Sequence, residues 1–242
     1  MSLISIYKWK EKLHRFLSFL CGNEKCLRCG ERSVFLLCNP CLADFMETPK
    51  DLTKYCNKCG SFLVSEKETC LSCRDSPLLE HVDFVLPLHS YRLWKKEVLF
   101  YWKILGNRSF SPVIAKMYAE VLERFFFGIA LVPIPPRPGK IRKTGWDQID
   151  EITKILSLNK KHKILNLLKR VSRRQQKKMN RQERLDTIGR VYALKDGIKD
   201  LPSKVVLIDD IMTTGATLES CALVLKEAGV KEVYALCLFI GS

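Results

Sequence analysis

Apolar residues recur in short runs along the second two thirds of the chain, and stretches with a helical spacing of apolar positions separate them. Continuous runs of this length predict buried strands, and the spaced patterns predict helices. The predicted strands are Ile129–Ile134, Lys163–Leu168, Lys204–Ile208 and Glu232–Phe239. Ala216–Ala228 predicts a helix closed by Gly229. This alternation is typical of an α/β fold with a mostly parallel sheet and flanking helices.

The first twenty residues follow a different pattern. The apolar residues that share one helical face are Ile6, Trp9, Leu13, Phe16, Leu17 and Leu20. Charged residues interrupt this segment, so the pattern predicts an amphipathic helix over residues 1–20 and no signal peptide. A helix lying in a membrane surface is the alternative. The longest apolar run is too short to span a bilayer. We therefore expect a cytoplasmic protein, with a peripheral position at the inner membrane face as the alternative.

Eight of the eleven cysteines form four Cys-x-x-Cys pairs in residues 21–80. Two thiolates at this spacing lie on one tight turn and can bind the same tetrahedral ion, so the pairs predict structural Zn²⁺. A disulfide framework is the alternative, but no export signal favours an oxidising compartment. Sequential pairing gives two sites, Cys26, Cys29, Cys38 and Cys41 in one and Cys56, Cys59, Cys70 and Cys73 in the other. Cross-braced pairing stays open. We predict a double zinc ribbon over residues 21–80, followed by the α/β domain over residues 81–242.

The charge of the chain is strongly positive, with 41 Lys and Arg against 26 Asp and Glu. Most of the excess lies in residues 137–184, which hold 16 basic and four acidic residues. The cations predicted to contact nucleic acid are Arg170, Arg173, Arg174, Lys177, Lys178, Arg181 and Arg184. A solvated charged face is the alternative. The aromatic and basic segment from Tyr91 to Arg108 could stack bases, but its spacing favours an amphipathic helix that packs on the core.

The stretch VVLIDDIMTTGATLE, residues 205–219, joins a buried strand to two acids and a hydroxyl-rich turn. Ligands of open α/β sheets bind at the carboxyl ends of the strands. We predict a strand to Ile208, a loop, and a helix from Ala216. The loop residues that form a cup for a phosphate monoester are Thr213, Thr214, Gly215, Ala216 and Thr217. Asp209 and Asp210 suit a diol or a hydrated Mg²⁺, so the predicted ligand is a sugar phosphate. A loop that kept its shape and lost its chemistry is the alternative.

This stretch resembles the motif of type I phosphoribosyltransferases, which bind phosphoribosyl pyrophosphate (PRPP). With the cysteine pairs before it, the chain resembles the ComF/GntX family, which is associated with bacterial natural competence. Further positions that match the family pattern are Lys103, Gly106, Arg142, Gly145, Gln148, Gln176 and Arg184. Asp147 stands where the family has Asn, and Met179 and Thr187 also depart from its pattern.

The resemblance implies that the domain binds PRPP with Mg²⁺, and that Asp209 and Asp210 are its catalytic carboxylates. It also assigns the pyrophosphate to the loop Pro133–Arg137. Pro135 and Pro136 in this loop lack the N–H donors that such a loop would use. The basic side chains that could replace those donors are Arg137, Lys140 and Arg142. A proline turn with solvated cations is the alternative.

Two functions of different classes follow from these observations. The first is a phosphoribosyltransferase that displaces pyrophosphate with a nitrogen nucleophile. The second is a non-catalytic protein that handles single-stranded DNA during uptake, with PRPP as a ligand and competence-machinery proteins as partners. The resemblance implies the second role, whereas the residues themselves indicate a PRPP site and a basic surface.

Overall fold

The computed structural model describes residues 25–33, 35–75, 79–158, 160–171, 191–198 and 200–241. The predicted N-terminal helix lies outside these residues, as do all of the predicted nucleic-acid contacts except Arg170. Within the described ranges, no helix is both long and apolar enough to cross a membrane. The described helices and strands are α1 (Asn39–Phe45), α2 (Leu71–Asp75), β1 (Phe84–Ser90), α3 (Trp94–Leu99), α4 (Ser111–Phe125), β2 (Ala130–Pro133), α5 (Lys140–Thr144), α6 (Gln148–Ser157), β3 (Leu168–Arg170), β4 (Tyr192–Leu194), β5 (Lys204–Met212), α7 (Ala216–Glu227) and β6 (Glu232–Ile240).

A parallel sheet forms the centre of the α/β domain. In the described part of the chain it has four strands, in the order β1–β6–β5–β2. The predicted strands at β2, β5 and β6 are confirmed, because their apolar runs are buried on both faces, as parallel strands require. The prediction for Lys163–Leu168 was wrong: only Ile164 bridges to β2, and the residues from Leu168 pair with β4 in an antiparallel hairpin. The edge strand β1 was missed, since Pro87 interrupts its apolar run.

Helices cover both faces of the sheet. Val206 and Ile208 of β5 share one apolar cluster with α4 and α6, whereas Val205 and Leu207 share the other with α7. The alternation follows from the two-residue period of a strand. At the carboxyl end of β5, the buried Tyr118 hydroxyl of α4 donates to the Asp209 carbonyl oxygen at 2.6 Å.

The first cysteine segment packs directly on this sheet. Cys26, Cys41 and Phe45 belong to the same apolar cluster as α4 and β6. The Phe45 ring stacks on His89 of β1 with a centroid distance of 4.7 Å. The first cysteine segment therefore shares its core with the α/β domain.

The second cysteine segment meets β1 through Gly60. Gly60 has a φ of +73°, and a Cβ atom built there would lie 2.7 Å from the Val85 carbonyl oxygen and 2.6 Å from Pro87. Only a residue without a side chain allows this approach and this conformation together. Gly30, at the same place in the first segment, has a φ of +76° and nothing within 4 Å of its Cβ position.

Candidate functional site

The carboxyl end of β5 differs from the sequence prediction. The strand continues to Met212 because its pairing with β6 extends to Ile240, so Asp209 and Asp210 lie in the strand and not in a loop. The loop before α7 is therefore only Thr213–Gly215. The predicted helix start at Ala216 is confirmed.

The two carboxylates occupy different environments. Asp210 is 3 % exposed and lies on the face that α6 covers. Its Oδ2 atom lies 2.6 Å from the Lys103 ammonium and also accepts a hydrogen bond from Gln148 Nε2. Because Gln148 is the first residue of α6 and Lys103 follows α3, the Asp210 carboxylate joins three elements.

The Asp209 side chain lies on the opposite face of the sheet, as the two-residue period of a strand requires. Burial, and then the Asp209 charge, raise the pKa of the Cys221 thiol in α7. The Asp209 Oδ1 atom accepts a hydrogen bond from the Asp210 backbone N–H at 2.8 Å. Burial, and then the Asp210 charge, raise the pKa of Asp209 to about 7. Carboxyl groups whose ionised form is disfavoured in the free protein are common at ligand sites.

The threonine loop lies directly after these acids. Thr213, Thr214 and Thr217 are exposed, as is Ala216, and Gly215 has a φ of +71°. Such a conformation is easy for glycine and turns the chain sharply from strand to helix. The exposed hydroxyls and the first N–H groups of a 12-residue helix therefore lie together at one surface, which is the arrangement that binds phosphate in many proteins.

The β3–β4 hairpin reaches this loop. Tyr192 of β4 packs in the same apolar cluster as Leu218 of α7, the neighbour of Thr217 in the chain. Arg170, the described member of the predicted DNA-binding set, donates to the Tyr192 hydroxyl at 3.3 Å, and its guanidinium lies over the Tyr192 ring. Arg170, for which the sequence predicted contact with nucleic acid, is thereby held beside the threonine loop.

The segment after β2 contains the other predicted basic residues. Arg137 and Arg142 are exposed. Lys140 is directed inwards, with its ammonium 2.6 Å from Asp147 Oδ2 and bonded to Gln148 Oε1. Asp147, which departs from the family pattern, caps α6 by accepting from the Ile149 and Asp150 N–H groups. The Asp side chain is short enough for its carboxylate to accept hydrogen bonds from the first N–H groups of the helix, which is the role of an N-cap residue.

The structure adds residues that the sequence did not assign to the site. Lys103 and Gln148 matched the family pattern, but nothing in the sequence placed them against Asp210. Arg108 and Glu151 were missed entirely, and the Arg108 Nε atom lies 2.7 Å from the buried Glu151 carboxylate. Lys103 and Gln148 are each more than 40 positions from Asp210 in the chain, as Arg108 is from Glu151, so only the fold brings the residues of each pair together.

The cysteines form two clusters in the described residues. Cys26, Cys29, Cys38 and Cys41 make up one, and Cys56, Cys59, Cys70 and Cys73 the other, with all sulfur atoms of a cluster within 4.8 Å of one another. The pairing is therefore sequential and not cross-braced. The Sγ atoms of Cys29 and Cys38, and those of Cys59 and Cys70, lie 3.6 Å apart. Sulfur atoms bound to one tetrahedral zinc lie about 3.8 Å apart, so the geometry fits the ion.

In each cluster, backbone N–H groups favour the thiolate of one cysteine, whereas burial raises the pKa of Cys41 and of Cys59 to about 12. Although burial opposes it, N–H donors from Cys29, Cys38 and Arg28 lower the pKa of Cys26 to about 6. The same arrangement around Cys56, with burial again opposing, lowers its pKa to about 7. Since zinc binds thiolates, these donors favour the ligand form of the sulfur. The two clusters thus fit a structural zinc module.

The carboxylates at β5 do not fit a Mg²⁺ ion that both would hold. The Asp210 Oδ2 atom is already bonded to Lys103 and Gln148, and the Asp209 side chain lies on the other face of the sheet.

Besides the two cysteine clusters, the side chains of Glu80, His81 and Glu219 bring their potential metal-binding atoms within 4.8 Å of one another. The Glu219 oxygens accept from the Glu80 and His81 N–H groups, which fixes the segment before β1 to the first turns of α7.

Comparison with known proteins agrees with this geometry. Residues 167–241 match the phosphoribosyl transferase domain family. The chain is similar to the competence protein ComFC of Streptococcus pneumoniae, with 28 % identity over 86 % of this chain and 96 % of the relative. It is 24 % identical to competence protein F of Haemophilus influenzae, over 87 % and 94 % of the two chains. With ComFC of Bacillus subtilis it shares 25 % identity over 90 % and 91 %.

Proposed function

The chain belongs to the ComF family of competence-associated proteins, and on that premise we propose that its phosphoribosyltransferase-like domain binds PRPP at the carboxyl end of β5. The observation that carries this proposal is the exposed hydroxyl and N–H cup of Thr213–Thr217 at the start of α7. The 5′-phosphate lies in this cup. Arg170 and Tyr192 of the hairpin stand beside Thr217 and close the same side.

In a transferase reaction, a nitrogen nucleophile would form a bond to the ribose anomeric carbon while the bond to pyrophosphate breaks and its electron pair leaves with the pyrophosphate. Positive charge then grows on the ribose ring, and a carboxylate nearby stabilises it. We assign this role to Asp209. For Asp210, which the sequence predicted to be catalytic, we propose a positioning role, because its carboxylate is bonded to Lys103 and Gln148. Mg²⁺ stays a prediction of the resemblance.

Calorimetric titration of the zinc-loaded protein with PRPP tests the proposal. We expect micromolar binding that falls at least tenfold in Thr217→Val, because the variant removes one hydroxyl from the cup without changing the shape of the side chain. Ser220→Ala is the matched control, since its hydroxyl bonds to the Ala216 carbonyl one turn further along α7 and lies outside the cup. Equal affinity in the two variants, or no heat with the wild type, would refute a PRPP site here.

A second role in handling single-stranded DNA has its own support. The excess of 12 positive charges in residues 137–184 is large for a segment without an anionic partner. Relatives named as competence proteins fit a role in DNA uptake, with competence-machinery proteins as partners. Changing Arg173, Arg174, Lys177 and Lys178 to Glu should weaken DNA binding at least tenfold and leave PRPP titration unchanged. Loss of both bindings together would contradict two separate sites.

A further inference from the structure

The two cysteine clusters expose their sulfur-bearing side chains to different degrees. In the first cluster Cys29 is exposed and Cys38 is partly exposed, and the residues that follow Cys29 in its turn are exposed as well. In the second cluster Cys59 is buried and Cys70 is partly exposed. Oxidants in solution react with thiolates that they can reach, so the first cluster is the more open of the two to chemical modification.

The same distance separates one pair of sulfur atoms in each cluster. The Sγ atoms of Cys29 and Cys38 lie 3.6 Å apart, as do those of Cys59 and Cys70. A disulfide bond has a length of about 2 Å, so in either cluster the two sulfur atoms could bond after a small approach. Distance therefore does not distinguish the clusters, whereas exposure does: only in the first do both members of the pair reach the surface.

We propose that the first cluster is a modification site for hydroperoxides, at which Cys29 and Cys38 form a disulfide while the second cluster stays reduced. The Cys29 thiolate attacks one oxygen of hydrogen peroxide, the O–O bond breaks, and hydroxide leaves with the electron pair, so that Cys29 becomes a sulfenic acid. The Cys38 thiolate then attacks the Cys29 sulfur and displaces a second hydroxide. The two thiolates together lose two electrons, and the peroxide gains them. Both hydroxides take up protons from the buffer and become water.

Oxidation at this site also affects the α/β domain. The disulfide no longer provides two of the four zinc ligands, so the first cluster releases its metal ion. Cys26 and Cys41, the other two ligands, are buried in the apolar cluster that contains α4 and β6. Arg28, the neighbour of Cys29, holds its guanidinium 5.5 Å from the centre of the Trp94 ring in α3. Because the first cysteine segment shares the core of the domain, loss of its zinc ion destabilises the domain as a whole.

Treatment of the full-length, zinc-loaded protein with hydrogen peroxide tests this site. A chromogenic chelator measures the released zinc, and mass spectrometry of proteolytic peptides identifies the disulfides. We expect one zinc ion per chain to leave at least tenfold faster than the other, together with formation of a Cys29–Cys38 disulfide. The melting temperature should fall by at least about 4 °C, and reduction with a dithiol in the presence of zinc should restore it.

Two variants separate the exposed thiolate from the zinc site itself. Cys29→His keeps four ligands, because three cysteines and one histidine also bind zinc tetrahedrally. This variant should still bind two zinc ions per chain, and its fast release should be lost. Cys70→His changes the most exposed cysteine of the second cluster and is the matched control. It should keep both the fast release and the Cys29–Cys38 disulfide.

Three results would overturn the proposal: equal rates of release for the two zinc ions, a first disulfide that does not join Cys29 to Cys38, or fast release that persists in Cys29→His. The first two are measured on the wild-type protein, so they decide the proposal even where a variant fails to fold. PRPP is absent from all of these measurements, and their outcome is therefore independent of the proposed function.

Discussion

Replacing Asp209 with Asn should stabilise the free protein at neutral and higher pH. Burial and the Asp210 charge raise the pKa of Asp209 from 3.8 to about 7. The unfolded chain ionises this carboxyl near pH 3.8, so the folded state is disfavoured as the pH rises from about 4 to 7. At about 1.4 kcal/mol per pKa unit, the upper limit of this destabilisation is about 4 kcal/mol. The Asn side chain keeps an oxygen that can accept from the backbone N–H of residue 210.

The Asp209 side chain is only partly buried, so we expect about half of this limit, a gain of about 2 kcal/mol at pH 8 and of about 1 kcal/mol at pH 5.5. Urea unfolding of the zinc-loaded protein at several pH values measures the free energy of unfolding. Asp196→Asn is the control, because that carboxyl is exposed and its pKa is lowered by its Lys169 partner. A gain that does not change with pH, or no gain at pH 8, would show that Asp209 is not held in a state that disfavours its charge.

Three further predictions concern the zinc module and its contact with the sheet. Gly60→Ala should lower the free energy of unfolding by at least ~3 kcal/mol, since it adds a steric clash to an unfavourable φ. Gly30→Ala, which has the unfavourable φ without the clash, should lower it by about 1 kcal/mol. Equal losses in urea unfolding would contradict the close packing on β1. Cys41→Ser should lower the melting temperature of the whole α/β domain, and Cys59→Ser should mainly expose residues 51–75 to proteolysis, because only Cys41 belongs to the shared core. Burial, and then the Lys95 charge, lower the pKa of His89 to about 3, so the free energy of unfolding falls as the pH drops below 6.5. His89→Phe should remove about 2 kcal/mol of the loss between pH 7.5 and 5. A variant as acid-sensitive as the wild type would refute this cause.

Part of the fold and of the site follows from local patterns in the sequence. The runs at β2, β5 and β6 are apolar on both faces, which marks a buried parallel strand wherever it occurs. The threonine loop and the start of α7 depend on neighbouring residues, above all on Gly215. The eight cysteines that could bind zinc also follow from the Cys-x-x-Cys spacing, but their sequential division into two clusters required the structure.

Other features depend on partners far away in the chain. Pairing with β6 extends β5 beyond Ile208 to Met212. Because successive side chains of a strand lie on opposite faces, Asp209 and Asp210 face different sides of the sheet. The edge position of β1 allowed Pro87 in a strand, although proline argues against one locally.

The sequence by itself determined the fold class, the strands β2, β5 and β6, the start of α7 with its hydroxyl-rich loop and the eight paired cysteines, because each depends on residues a few positions apart. Tertiary structure alone decided which cations face which carboxylates. Lys103 and Arg108 are far from Asp210 and Glu151 in the sequence, and they contact these carboxylates only because the turns after α3 and the helix α6 pack together at the end of the sheet. Coulomb attraction depends on distance in space and not along the chain, so no local pattern records it.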